Sequence, residues 1–126
     1  MIEGAKQFVE INKNRRMVIV TSCNKAAATF ILEKTNLNEY MQFLIAAEDC
    51  INHKPHNEPY IKGISLFNTS KEKCYIFEDS MSGYKSAKNV NGSKITLIIH
   101  ENNKIIHEYT NEYKITNLGK YFDIKK

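Results

Sequence analysis

The stretch Cys74-Tyr75-Ile76-Phe77-Glu78-Asp79-Ser80-Met81-Ser82-Gly83 decides how the chain is read. An apolar run of strand length stops at two adjacent carboxylates. Hydroxyl residues follow, and Ser82 to Val90 then carries Tyr84, Ala87 and Val90 at helical spacing. This is a strand, a polar turn and a helix. Downstream, Ile95 to Ile99 reads as another strand. Upstream, Phe43-Leu44-Ile45-Ala46 and Met17-Val18-Ile19-Val20 are short continuous apolar runs, suited to strands buried on both faces. Helical patterns alternate with them. Glu3 to Asn14 places Ala5, Phe8, Val9 and Asn12 on one side, and Asn24 to Thr35 places Ala27, Phe30 and Ile31 together. Pro55 to Phe67 turns Tyr60, Ile61, Ile64 and Phe67 toward a sheet, with Pro55 in the first turn, where a missing N–H costs nothing. Strands alternating with helices imply βαβ crossovers and a parallel sheet covered on both faces, an α/β fold. In such sheets ligands sit beyond the carboxyl ends of the strands, so the polar clusters that directly follow strands are the places to search.

Composition narrows the classes. The chain has 126 residues, 42% of them hydrophobic and 25% charged, which suits one soluble globular domain. No apolar run approaches the roughly 18 residues of a membrane span, and the start lacks the pattern of a signal peptide, so the expectation is a cytoplasmic protein without a membrane partner. The net charge of +4 comes from scattered lysines and arginines. That is not the dense stripe of a nucleic-acid binder. Cys23, Cys50 and Cys74 form no C-x-x-C pair and read as reduced thiols. His53 and His56 lack a third ligand for a metal pair, and His100 and His107 flank an expected turn at 101–104.

Three strand-end clusters carry chemistry. Thr21-Ser22-Cys23-Asn24 follows the first strand, where hydroxyls beside free backbone N–H groups bind an anion or cap the next helix. Lys54, before Pro55, is either a fixed cation for phosphate or an ordinary loop lysine. Glu78-Asp79 suits a hard cation such as Mg²⁺, or forms a polar turn in which Ser80 or Ser82 caps the following helix.

In order and spacing these segments resemble the haloacid dehalogenase-like (HAD) superfamily, in its β-phosphoglucomutase and sugar-phosphate phosphatase branch. Val18-Ile19-Val20-Thr21-Ser22 resembles the second motif, an apolar strand ending in Thr or Ser. Residues 31–40 look like the helix and turn that follow. Lys54-Pro55-His56-Asn57-Glu58-Pro59-Tyr60, preceded by Ala47-Glu48-Asp49, resembles the lysine motif, and residues 74–83 the acidic fourth motif. Gly83, Ala87 and Gly92 fall where this branch has small residues.

The resemblance implies a three-layer α/β/α Rossmann-like core with a parallel sheet, and Mg²⁺-assisted phosphoryl transfer on small phosphorylated metabolites. Thr21 and Ser22 would bind phosphoryl oxygens. Lys54 would offset charge on the nucleophile and the phosphoryl group. Asp79 would hold Mg²⁺ directly, with Glu78 beside it or acting through water. Residues 1–126 are read as one domain, with the family-like core at 4–99 and a divergent extension at 100–126.

The family's first motif is a D-x-D pair on the first strand, and its first aspartate is the nucleophile. Asp49, Asp79 and Asp123 are the aspartates of this sequence, and none stands in such a pair. Asp123 follows Phe122, but Lys125 occupies the second position, which argues against a circular permutation. The cap that separates the first and second motifs in the family is also missing. The family's first strand lies between those of the second and fourth motifs. Without it, Met17–Val20 and Tyr75–Phe77 must close up, or a complementing chain or second copy must fill the gap. Inactivity of the isolated chain is expected. A non-catalytic relic, or an interaction module using the open sheet edge, is the competing reading.

Overall fold

The computed structural model of the protein describes residues 5–98 and a strand at 113–115. The expected turn at 101–104, His100, His107, Ile99 and Asp123 lie outside the described residues. The elements in chain order are α1 (Ala5–Ile11), β1 (Val18–Val20), α2 (Lys25–Lys34), β2 (Phe43–Ile45), α3 (Glu58–Leu66), β3 (Tyr75–Glu78), α4 (Met81–Lys88), β4 (Lys94–Ile98) and β5 (Tyr113–Ile115). Every ladder among them is parallel. β1 pairs with β2, setting Ile19 opposite Leu44. β3 pairs with β4, setting Glu78 opposite Leu97, and β4 pairs with β5. The fold is α/β, as the alternation of patterns requires.

The strands form two sheets, β1-β2 and β3-β4-β5, and among the described residues no ladder joins β1 to β3. The edges that the sequence left open have not closed on each other. Helices cover both faces. On one face Tyr60, Ile76, Ala87, Val90, Ile95 and Leu97 form a buried cluster joined by Val20, Ile64, Met81 and Tyr84. On the other, Phe8, Val9 and Leu37 are buried against Met17, Leu32, Tyr75 and Phe77. Adjacent residues of β3 thus enter opposite clusters, as pleating dictates. Phe8 meets Phe77 edge to face at 4.9 Å between ring centroids. Gly63 lets α3 approach β1 closely, since a Cβ there would lie 3.2 Å from Val20 Cγ2.

Helices α2, α3 and α4 end alike. Asn36, Asn68 and Asn91 follow them with φ of 59°, 53° and 61°. Asparagine tolerates this left-handed conformation better than other residues bearing a Cβ, and it stops a helix as glycine does.

Two expectations need correction. In α2 the inward stripe is Ala28 and Leu32, while Phe30 and Ile31 are 63% and 52% exposed. Both stripes have helical period, and period does not fix phase. The Lys34 ammonium lies 5.9 Å from the Phe30 ring centroid and partly screens it. The third helix begins at Glu58 with Pro59 in its first turn, not at Pro55. A start at Pro55 would set Pro59 one turn inside, where an N–H is required. Ile61 consequently points outward and is exposed, while Tyr60 is buried and Ile64 packs inward.

Candidate functional site

Helix capping and anion binding compete for the residues after β1, and the structure divides them. Asn24 caps α2 by accepting from Ala27 N at 2.8 Å. Thr21 and Ser22 are therefore not the cap. Thr21 is half-buried and Ser22 exposed, and Thr21 Oγ1 accepts from Cys23 N at 3.1 Å. After β3 the cap is Ser80, whose Oγ accepts from Gly83 N at 3.1 Å.

Lys54 is not an ordinary loop lysine. Its side chain is 9% exposed, and its ammonium lies 2.6 Å from Glu78 Oε2, itself on a side chain 7% exposed. The same ammonium donates to Val20 O at 3.2 Å and lies 5.0 Å from the Tyr60 ring centroid. Lys54 therefore joins the ends of β1 and β3. A loop positions it. Glu58 at the start of α3 accepts from Ile51 N at 3.0 Å and Asn52 N at 2.8 Å. These backbone bonds, Asn52 first, hold its carboxyl down to about 2.

Glu78 is the most enclosed acid of the site. Besides Lys54 it accepts from the Tyr60 hydroxyl, and its Oε1 lies 3.3 Å from both Asp79 N and Ser80 Oγ. A Cβ built on Gly83 would overlap this carboxylate, so glycine there makes the space it occupies. Burial, then the Glu78 charge, raises the Tyr60 hydroxyl well above its ordinary value and keeps it a donor.

Thr21, Ser22, Lys54, Glu78 and Asp79 all line one cavity of about 840 Å³. The sequence-expected hydroxyl, ammonium and carboxylates thus meet at one place, and Tyr60 and Ser80 join them. Tyr60 was expected only as an apolar residue facing the sheet. Its position six residues after Lys54, in the first turn of α3, was the available signal. Among the described residues no three His, Cys, Asp or Glu side chains gather as a ready metal cage. The carboxylate groups at the polar end of the cavity come from Asp79, which is half-buried, and from Glu78, which is already engaged.

Residues 1–98 match the family model of haloacid dehalogenase-like hydrolases. The chain is 28% identical over 102 residues to the phosphorylated carbohydrates phosphatase of Thermotoga maritima, covering 79% of this chain and 47% of that protein. Among solved structures it resembles a HAD-superfamily hydrolase, subfamily IA, variant 1, of Geobacter sulfurreducens PCA. The TM-score is 0.83 and the identity 18%, over 98% of this chain and 60% of that one. It also resembles a β-phosphoglucomutase of Clostridium difficile, with a TM-score of 0.76 and 18% identity, over 95% and 52% of the two chains. The chain spans about half the length of the proteins it matches.

Proposed function

Because the chain belongs to the haloacid dehalogenase-like hydrolase family, we propose that it supplies the phosphate- and cation-holding part of a phosphoryl-transfer site for small phosphorylated metabolites. One observation carries this reading: a hydroxyl, an ammonium and carboxylates from three separate segments line a single cavity.

Thr21 Oγ1 and the Ser22 backbone bind phosphoryl oxygens. Lys54 sits between that position and Glu78, and offsets the negative charge that gathers during transfer. Glu78, with Tyr60, holds Lys54 in place, because its oxygens are committed to them. Asp79, half-buried at the same end of the cavity, is assigned as the cation ligand, with Glu78 at most an indirect one. This minimal set fits Mg²⁺, which keeps several waters and takes one or two carboxylates plus substrate phosphate. Asp79 would hold Mg²⁺ there, and the ion would supply positive charge against the phosphate. The attacking carboxylate is assigned to a segment outside this sequence, since none of its aspartates stands in a D-x-D pair. A second reading, a binding module working through an open sheet edge, draws support from the separation of the two sheets among the described residues.

The test is titration of the chain with inorganic phosphate and Mg²⁺, followed by amide NMR. Phosphate should shift Thr21 and Ser22, and Lys54→Met should abolish the shift. Mg²⁺ should shift Asp79 and Ser80 in the wild type but not in Asp79→Asn. Phosphate shifts confined to other parts of the chain would overturn the reading. So would turnover of an aryl phosphate by the chain alone, which would place the nucleophile within it.

A further inference from the structure

Ser86 is out of character for its place. It sits inside α4 and is 0% exposed. A serine inside a helix ordinarily faces solvent or returns its hydroxyl to the carbonyl one turn back. This one leaves its helix and donates to His56 O at 2.6 Å, in the loop that carries Lys54. A buried hydroxyl without a partner is costly, so this bond is kept whenever α4 is packed.

Two asparagines act with it. Asn89, which ends α4, donates through Nδ2 to Pro55 O at 3.2 Å. Its own carbonyl, at a helix end that leaves such groups without an intrahelical donor, accepts from Asn57 Nδ2 at 2.9 Å. Asn57 stands just before α3, where asparagine is a favoured cap, yet its side chain makes no capping bond there. It is turned to α4 instead. Residues 55–57 are thus joined to the final turn of α4 from both sides.

Peptide planes are rigid, so holding Pro55 O and His56 O fixes the chain immediately downstream of Lys54. Glu58 fixes it upstream, through Ile51 N and Asn52 N. The opposite end of α4 is tied to the acidic turn, where Ser80 caps the helix and Gly83 lies against the Glu78 carboxylate. Ser86 stands about 9 Å along the helix from Ser80. One helix therefore places both partners of the buried ion pair. The circuit closes where the Lys54 ammonium meets Glu78 Oε2 at 2.6 Å.

We infer that Ser86 and Asn89, with Asn57, are positioning residues for Lys54. They bind the lysine loop to α4 and so set where the ammonium stands relative to Glu78. The helix acts as a spacer of fixed length between the acidic turn and that loop. The consequence for phosphate rests on the function proposed above; the consequence for the ammonium does not.

The test uses the intact chain with isotope-labelled lysine. NMR follows the Lys54 ammonium through its exchange with water and its NOE to the Tyr60 ring, whose centroid lies 5.0 Å away. In the wild type this ammonium should exchange far more slowly than that of Lys13, whose side chain is 59% exposed. Ser86→Cys nearly keeps the volume and leaves only a weak donor. Combined with Asn89→Ala, it should speed exchange at Lys54 and weaken the NOE. Inorganic phosphate is then titrated, read at the Thr21 and Ser22 amides. Bonds that orient a ligating group are worth about 10–100-fold at metal sites, and a loss of about tenfold in phosphate affinity is expected here. Leu37→Ala, a core truncation on the opposite face of the sheet, should lower the melting temperature and leave both readings unchanged. Unchanged exchange at Lys54 in the folded double variant would overturn the inference. So would equal loosening of Lys54 by Leu37→Ala, or a wild-type Lys54 ammonium that exchanges as fast as that of Lys13. If the double variant fails to fold, Asn57→Ala carries the same readings, since that side chain has no capping bond to lose. Faster exchange with phosphate affinity unchanged would leave the positioning intact and remove Lys54 from phosphate binding. Absence of any phosphate shift in the wild type would remove the proposed function, and the exchange readings would still decide the positioning.

Discussion

Replacing Lys54 by methionine should destabilise the chain more than any change on its surface. The perturbation keeps an unbranched apolar stem and removes the charged end of the side chain. Glu78 would then remain 7% exposed with neutral donors only, namely Tyr60, Ser80 and the Asp79 amide. Breaking one side of a buried pair costs about 3–5 kcal/mol. Those surviving donors place the expected loss near the lower end, about 3 kcal/mol, because hydrogen bonds to a charged group each contribute about 1.5–3 kcal/mol. With a urea slope of about 2 kcal/mol/M, the unfolding midpoint should fall by roughly 1.5 M. Urea titration at pH 7, followed by circular dichroism, reads this directly. The double variant Lys54→Met, Glu78→Met removes both charges and should recover at least about 2 kcal/mol relative to the single variant, since swapping a buried pair for apolar groups is often neutral. A loss below about 1 kcal/mol for Lys54→Met, where exposed pairs usually fall, would refute the claim that this pair is buried and committed. Strict additivity in the double variant would refute the coupling.

Gly83→Ala should cost about 1–3 kcal/mol by overpacking the Glu78 carboxylate, whereas the exposed neighbour change Ser82→Ala should stay within about 0.5 kcal/mol; equal thermal shifts for the two would show that Glu78 lies elsewhere. Glu58 has its carboxyl lowered from 4.5 to about 2 by the Asn52 and Ile51 amides. Its stabilising effect is therefore present above pH 4.5 and lost as pH falls through about 2. Amide shifts of Ile51 and Asn52 should titrate with that low midpoint and stay flat in Glu58→Gln; a midpoint near 4.5 would mean the loop is not clamped.

Much of the fold was legible because the relevant signals are local. Apolar runs of three to five residues became β1 to β4, and the acids after Phe77 marked the end of β3. Of the candidate site, the types Thr21, Lys54, Glu78 and Asp79 could be read from their places after strands. Their relations could not. Whether Glu78 faces Lys54 or solvent depends on strand register and on the space that Gly83 leaves, and both are set by packing between elements distant in sequence. The same limit explains α2. Ala27, Phe30 and Ile31 satisfy helical period as well as Ala28 and Leu32 do, and only the docked neighbours Phe8, Val9 and Leu37 choose between them. The start of α3 was decidable in advance, because two prolines four residues apart cannot both belong to one helix that begins at the first.

The left-handed asparagines give the molecule a division of labour. Asn36, Asn68 and Asn91 precede β2, β3 and β4 and lie toward the amino ends of those strands, whereas Thr21, Lys54 and Asp79 gather at the carboxyl ends. Reversal of the chain is handled at one rim of the sheet and chemistry at the other. Substitutions along the first rim will alter how robustly the chain folds while leaving the candidate site's chemistry intact. The opposite rim is therefore the place to alter reactivity, and the asparagine rim the place to gain tolerance for doing so.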